Sequence, residues 1–334
     1  IYLVFFEIGF RMLNAMGRLC YITPSSWLNS VAATNMRAYI LAKKTLCTLV
    51  DLGHYQPFVG ATTYTLISYF DKAYTSEIVN YYLYDEQERK PKQQKQLHLE
   101  DISIEGKFYL ATKQELQTLK QLRSTTIRKW CVVKNGFATL ADSVFIGDLP
   151  FSEYTIPILK ASTGKWNRAF FPYDKNGKPI SKDILFQNVA IKTYMETRKA
   201  TLLKGKAEST NPEWYLYGRT QALKDVYTDK IAINTIIKDV DSIRLEPVAN
   251  GSGVYSGLYM LTNVPFSILE SLIKSDCFIR YIHTLKCYKS GGYYTFNSKD
   301  LEKYINFQIE NYANTANFIP LDQSGISECP LTLF

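Results

Sequence analysis

Three short runs hold the residue types that recognise a polyanion such as nucleic acid. TGKWNR supplies Lys165, Asn167 and Arg168, YGRTQAL supplies Arg219, Thr220 and Gln221, and Lys134 with Asn135 stands just before GFATL. Lys and Arg neutralise phosphates, while Arg, Asn, Gln, Lys, Ser and Thr carry donors and acceptors that match base edges in a major groove. Each run sits beside aromatics and glycine, so each is expected in a loop that projects side chains outward. A further basic run, Arg198, Lys199, Lys204 and Lys206, suits a solvated arm or a nonspecific phosphate contact better than base reading.

These runs fall in the one segment with a charge excess. Residues 111–225 hold 19 Lys and Arg against 10 Asp and Glu, whereas residues 1–110 hold 11 against 10 and residues 226–334 hold 9 against 11. The basic block is interleaved with Trp130, Trp166, Phe170, Phe171, Trp214, Tyr215 and Tyr217, the composition of a polyanion-binding surface. A solvated basic face over an aromatic core has the same composition.

Other chemistries find little support. The six cysteines include no CxxC pair and the three histidines are far apart, so neither a metal site nor a disulfide framework is signalled. Asp239 and Asp241 lack a catalytic partner at motif spacing, and no nuclease-type carboxylate–lysine pattern occurs in a strand context. No apolar run reaches the roughly 18 residues of a membrane span. The opening IYLVFFEIGF carries Glu7 where a secretion signal needs a cationic flank, so a cytoplasmic protein is expected.

Length and apolar content, 334 residues and 46%, suit two domains. Residues 2–16 place apolar side chains at helical spacing with Gly17 as a C-terminal cap, and LCYIT reads as a strand stopped by Pro24. A helix over NMRAYILAK, a strand over TLCTLVDLG, a loop containing HYQPFVGA and a strand over TTYTLISYF follow. This is the back half of an α/β sheet whose last two strands can pair as a hairpin. SEIVNYYLY adds a third β-rich run. The charged, Gln-rich DEQERKPKQQKQ is expected to be a boundary, giving domains over 1–84 and 111–334 with a linker or exposed loop over 85–110. Beyond it, KQELQTLKQLRSTTIRKW reads as helix, TLADSVFIG, DKIAINTI and GVYSGLYML as strands, and PFSILESLIKSDCFIRYI and SKDLEKYINFQIENYANTA as late helices.

The order FFEIGFRMLNAMGRLCYITPSSWL, NMRAYIL and LVDLGHYQPFVGATTYTLISYF resembles the stretch after the catalytic motif in adenine-N6 DNA methyltransferases that carry a C-terminal recognition domain. These are the TaqI-like enzymes and the related type IIG restriction-modification proteins. KNGFATLADSVFIG, ILKASTGKWNRAFFPYD, EWYLYGRTQAL and GGYYTFNSKDLEKYI resemble, in order, segments of the attached recognition domains.

The resemblance implies the C-terminal remnant of a Rossmann-like methyltransferase sheet followed by a mixed α/β recognition domain, with double-stranded DNA as partner and S-adenosylmethionine as the parent enzyme's cofactor. It implies that an upstream methyltransferase domain, with or without a nuclease domain, precedes Ile1. The chain has no Pro-Pro for the catalytic loop, and its one G-x-G, Gly251 to Gly253, reads as a turn, so this piece alone is expected to bind no cofactor and to be inactive. In the resembled family a Phe before the hairpin strand walls the pocket for a flipped base. Phe58 matches that position, with Tyr55 as competitor. Pro24, Ser25 and Ser26 end a strand expected to be parallel, at the sheet edge where ligands bind, and either line a substrate cleft or simply stop the strand and cap a helix. A protein-interaction module with an incidental basic surface remains the alternative, and it predicts weak, salt-insensitive association with DNA.

Overall fold

Alternating burial marks TLISYFD as a strand with one face inward, at Leu66, Ser68 and Phe70. It is β3 (Thr65–Asp71), and it pairs antiparallel with both β1 (Arg18–Pro24) and β2 (Leu46–Asp51). β4 (Ile78–Asp85) runs parallel to β2, and β5 (Lys90–His98) antiparallel to β4, so the order is β1-β3-β2-β4-β5. Two helices precede strands here, α1 (Tyr2–Met12) before β1 and α2 (Thr34–Lys43) before β2. The computed structural model describes residues 1–58, 60–124, 128–203 and 213–316. Within them, one compact unit takes in 1–124, 275–296 and 314–316, and a second takes in 128–274 and 297–313.

In the first unit, register places Tyr21, Ser68, Leu49 and Tyr81 in one row of the sheet. α1 packs on this face through Phe6, whose ring meets Tyr21 at 5.3 Å, Phe70 at 6.0 Å and Trp27 at 6.2 Å. The rings meet edge to face, the geometry their quadrupoles favour. The row that alternates with it, Ile22, Ile67 and Val50, is half-buried or exposed. Among the described residues β1 has a neighbour on one side only. Arg37 of α2 is buried and donates to the carbonyls of Trp27 at 2.6 Å and Ser30 at 2.8 Å, which fixes the turn after β1.

The first unit continues through α3 (Leu99–Ile102), the short pair β6 (Ser103–Ile104) and β7 (Lys107–Phe108), and α4 (Lys113–Ser124). It is completed by α9 (Asp276–Thr284) and the small hairpin of β16 (Tyr288–Lys289) and β17 (Tyr293–Thr295). The second unit builds an antiparallel sheet in the order β13 (Leu245–Val248), β11 (Lys230–Ile233), β15 (Leu258–Thr262), β8 (Cys131–Asn135). A second sheet orders β10 (Lys165–Phe170), β9 (Thr155–Lys160) and β14 (Gly253–Tyr255). The short helices α5 (Asp142–Phe145) and α6 (Lys182–Leu185), the longer α7 (Val189–Leu203), α8 (Phe266–Ile273) and α10 (Ser298–Ala316), and the two-residue β12 (Ile236–Ile237) complete the list. Phe137, Phe145, Phe170, Phe171, Trp214, Tyr215 and Tyr217 belong to one buried cluster.

The fold is mixed α/β with several sheets, and it departs from the sequence reading at definite points. α1 ends at Met12, not at Gly17, because Leu13 is extended and Asn14 accepts from the Met16 amide, a local bond that competes with the helix. β1 is antiparallel to its neighbour, not parallel. Residues 90–98, expected in a linker or exposed loop, form β5; their polar composition reflects a solvent-facing edge strand. Leu97, Leu99, Ile102, Ile104 and Phe108 are buried, so 85–110 belongs to the first unit. TLADSVFIG is not a strand: Leu140 is left-handed, Thr139 bonds Asp142, and α5 follows.

Candidate nucleic-acid interface

The turn from β8 into Phe137 forces a close approach. Gly136 lies so near β14 that a Cβ there would sit 2.5 Å from the Val254 carbonyl oxygen, which only glycine tolerates. The Gly136 carbonyl accepts from Gln221 Nε2 at 2.6 Å, and the Gly218 amide donates to Thr139 at 2.9 Å, so the 218–225 loop is pinned beside the end of β8. Between them opens a cavity of about 490 Å³ lined by Lys134, Asn135, Thr220, Gln221, Lys224 and Asp225. Asn135 and Thr220 are exposed, as is Arg219 in the same loop.

The electrostatics of this cavity are cationic with one internal anion. Burial pushes the Asp225 carboxyl up, but hydrogen bonds from Lys134 and from the Tyr259 hydroxyl outweigh it and hold the carboxyl below its ordinary range. Beside it, Lys230 is buried and donates to the carbonyls of Ser252 at 3.0 Å and Val226 at 3.2 Å. Desolvation lowers its ammonium from 10.5 to about 8.

The remaining basic candidates lie elsewhere in the second unit. Lys165, Asn167 and Arg168 are on strand β10, not in a loop, because ILKASTGKWNRAFF folds as a hairpin whose turn ends at Gly164. Lys165 is exposed, Asn167 donates to the Tyr255 hydroxyl at 3.1 Å, and Arg168 donates to the Leu149 carbonyl at 2.5 Å. Lys134 and Asn135 likewise end a strand. Arg198 lies over the Tyr194 ring at 3.7 Å and Lys199 over Trp214 at 5.5 Å, so both cations cover the protein's own aromatics. Lys204 and Lys206 lie outside the described residues. Of the aromatics in the basic block, Trp166 is exposed, while Phe170, Phe171, Trp214, Tyr215 and Tyr217 are core.

In the first unit the loop between β2 and β3 carries the two aromatic candidates. Phe58 is 49% exposed, whereas Tyr55 stacks on Tyr84 with centroids 4.7 Å apart. Pro24, Ser25 and Ser26 line a cavity of about 250 Å³ together with Tyr64, Tyr109 and Tyr288. The cap reading fails for the two serines: neither makes a side-chain cap bond, Ser26 Oγ sits 3.0 Å from the Tyr2 hydroxyl, and the Ser25 amide donates to Tyr64.

Sequence reasoning missed Lys224 and Asp225, which share a loop with Gln221, and it missed Asp51. The signal for Asp51 was an acid closing an apolar strand in LVDLG. Among the described residues no group of three His, Cys, Asp or Glu is placed to hold a metal ion, and no helix is long and apolar enough to cross a membrane.

Comparison with known proteins finds likenesses to restriction-modification enzymes. Residues 1–58 match the family described as Eco57I restriction-modification methylase. The type II restriction enzyme and methyltransferase RM.Eco57I of Escherichia coli is 24% identical over 323 aligned positions, covering 80% of this chain and 32% of that protein. The chain thus spans about a third of that relative's length. In fold it is similar to the type IIL restriction-modification enzyme MmeI, solved in complex with DNA, with a TM-score of 0.57 and 14% identity over 91% of this chain and 43% of that one.

Proposed function

We propose that the second unit recognises a duplex DNA sequence and that the first unit is the closing part of an adenine-N6 methyltransferase domain, in a restriction-modification enzyme that uses S-adenosylmethionine. The observation that carries the reading is the cavity beside β8. It gathers cations for phosphates with an amide and a hydroxyl for base edges on a loop fixed by backbone bonds, and it takes in four residues singled out for that role, Lys134, Asn135, Thr220 and Gln221. The relation to RM.Eco57I and the likeness to a DNA-bound MmeI support it.

For the first unit, support comes from surfaces that a larger sheet would cover. Among the described residues β1 has a free edge, and the side chains of Ile22 on that strand and of Val4, Phe5, Ile8 and Met12 on α1 are exposed. What this unit does is receive the base. Methylation requires adenine to leave the stack, and an exposed Phe58 at the carboxyl end of β2 presents a ring for it to stack on.

Fluorescence anisotropy with labelled random-sequence duplex DNA tests the reading. Kd is expected to rise steeply with salt, with a log–log slope of about −0.9 per neutralised phosphate. Arg219→Ala should reduce that slope by about 1. Binding that ignores salt, or no binding, favours the protein-interaction module instead.

A further inference from the structure

Asp51 closes β2 with a carboxylate that is 2% exposed, and three donors converge on it. Tyr288 donates its hydroxyl to Oδ2 at 2.6 Å, Tyr81 to the same oxygen at 3.0 Å, and the Gly53 amide to Oδ1 at 2.9 Å. A carboxylate this deeply buried is tolerated because these bonds replace water. Gly53 is left-handed, with φ of 57°, which turns the chain sharply enough to face its amide back to the carboxylate. The next residue is held too. His54 Nδ1 lies 3.1 Å from the Lys289 carbonyl oxygen, and its ring meets Tyr288 at 4.9 Å and Tyr294 at 5.0 Å, both edge-on. Tyr55 is fixed on Tyr84. The loop therefore has a clamped stem, residues 51–55, and three residues further on it carries the exposed Phe58.

We propose that Asp51 and Tyr288 are positioning residues for the capture of the extruded base: they hold the stem of the 52–64 loop so that Phe58 is presented as a rigid stacking surface. Tyr288 comes from the 275–296 segment, more than two hundred residues along the chain, so the clamp exists only when that segment has docked on the first unit. Preorganisation of this kind lowers the ordering cost of receiving a base. The inference rests on the function proposed above, but the clamp has a readout of its own.

Two measurements on the full chain test it. Hydrogen exchange at the Gly53 and Tyr55 amides should accelerate about tenfold or more in Tyr288→Phe and Asp51→Asn, while β3 and the second unit keep their protection. Tyr288→Phe deletes one hydroxyl and carries the test even where Asp51→Asn unfolds the unit. The second measurement uses a duplex with 2-aminopurine opposite an abasic site, which leaves the fluorescent base unpaired and lowers the cost of extruding it in any sequence context. The wild-type chain should quench it, Phe58→Ala should abolish quenching, and Tyr288→Phe and Asp51→Asn should lose most of it at unchanged duplex affinity. Binding without quenching by the wild type, or exchange and quenching that survive both clamp substitutions, overturns the assignment. Absence of duplex binding by every protein removes the functional reading beneath it instead.

Discussion

Lys134 Nζ lies 2.7 Å from Asp225 Oδ2, and the Tyr259 hydroxyl donates to the same oxygen at 2.6 Å. The lysine that faces the cavity is therefore already paired, and its side chain stays 43% exposed. An ion pair so open to water contributes at most about 1 kcal/mol, so its partner can be exchanged for a phosphate at little cost.

Asp225→Asn is thus expected to strengthen nonspecific duplex binding several-fold and to steepen the salt slope by about 1, because the Lys134 charge becomes uncompensated. Salt titration of Kd checks it. An unchanged slope would show that Lys134 does not face DNA.

Lys230 gives the second unit a distinctive pH response. Its ammonium titrates near 8 when folded and near 10.5 otherwise, so between those values the folded chain binds fewer protons than the unfolded chain, and stability rises with pH. The gain from pH 8 to pH 10 is about 2 kcal/mol. Above pH 10 the buried Tyr81 and Tyr259, pushed upward by desolvation, act in the opposite sense. Urea unfolding at pH 8, 9 and 10 should show the rise in wild type and its absence in Lys230→Met; parallel profiles would refute the assignment.

Buried hydroxyls without partners are a reserve of stability in the first sheet. Among the described residues Ser68 Oγ and Thr65 Oγ1 have none, and Ser68 is fully buried. Ser68→Ala and Thr65→Val should each raise the unfolding free energy by about 1 kcal/mol, since an unsatisfied polar group is replaced by an apolar one of similar size. Chemical denaturation decides the point, and a loss of stability would mean that the hydroxyls are satisfied by bound water.

Gly136→Ala should destabilise the second unit by about 1–3 kcal/mol, because the added methyl meets the Val254 backbone, which cannot move aside without breaking the bond its carbonyl accepts from the Phe137 amide. Duplex affinity should fall with it, since Gln221 is tethered to that same carbonyl. Thermal melts and anisotropy on one sample test both parts, and a neutral melt would sink the close-approach argument.

Much of the first sheet was readable in advance. The alternation in TLISYFD and the apolar LCTLVD depend on local pattern alone, and the pairing of β2 with β3 follows from their adjacency along the chain. What failed were places where a single polar side chain overrides pattern, as at Asn14 and Thr139, and β5, where solvent exposure mimics the composition of a linker. The site was legible in its residue types but not in its grouping. Lys134 and Gln221 share a cavity while Asn167 does not, because a hairpin that turns at Gly164 carries Asn167 onto another sheet. Tyr288 was beyond reach, since nothing local says that it meets Asp51.

The unpaired edge of β1 has a practical side. Among the described residues nothing pairs with the outer side of β1, where every second residue turns its backbone outward, and with Ile22 exposed on the strand this edge is a template for a stranger's strand. Purified by itself, the chain should therefore stick to its own copies as concentration rises, and sedimentation should reveal oligomers that a charged residue in place of Ile22 disperses.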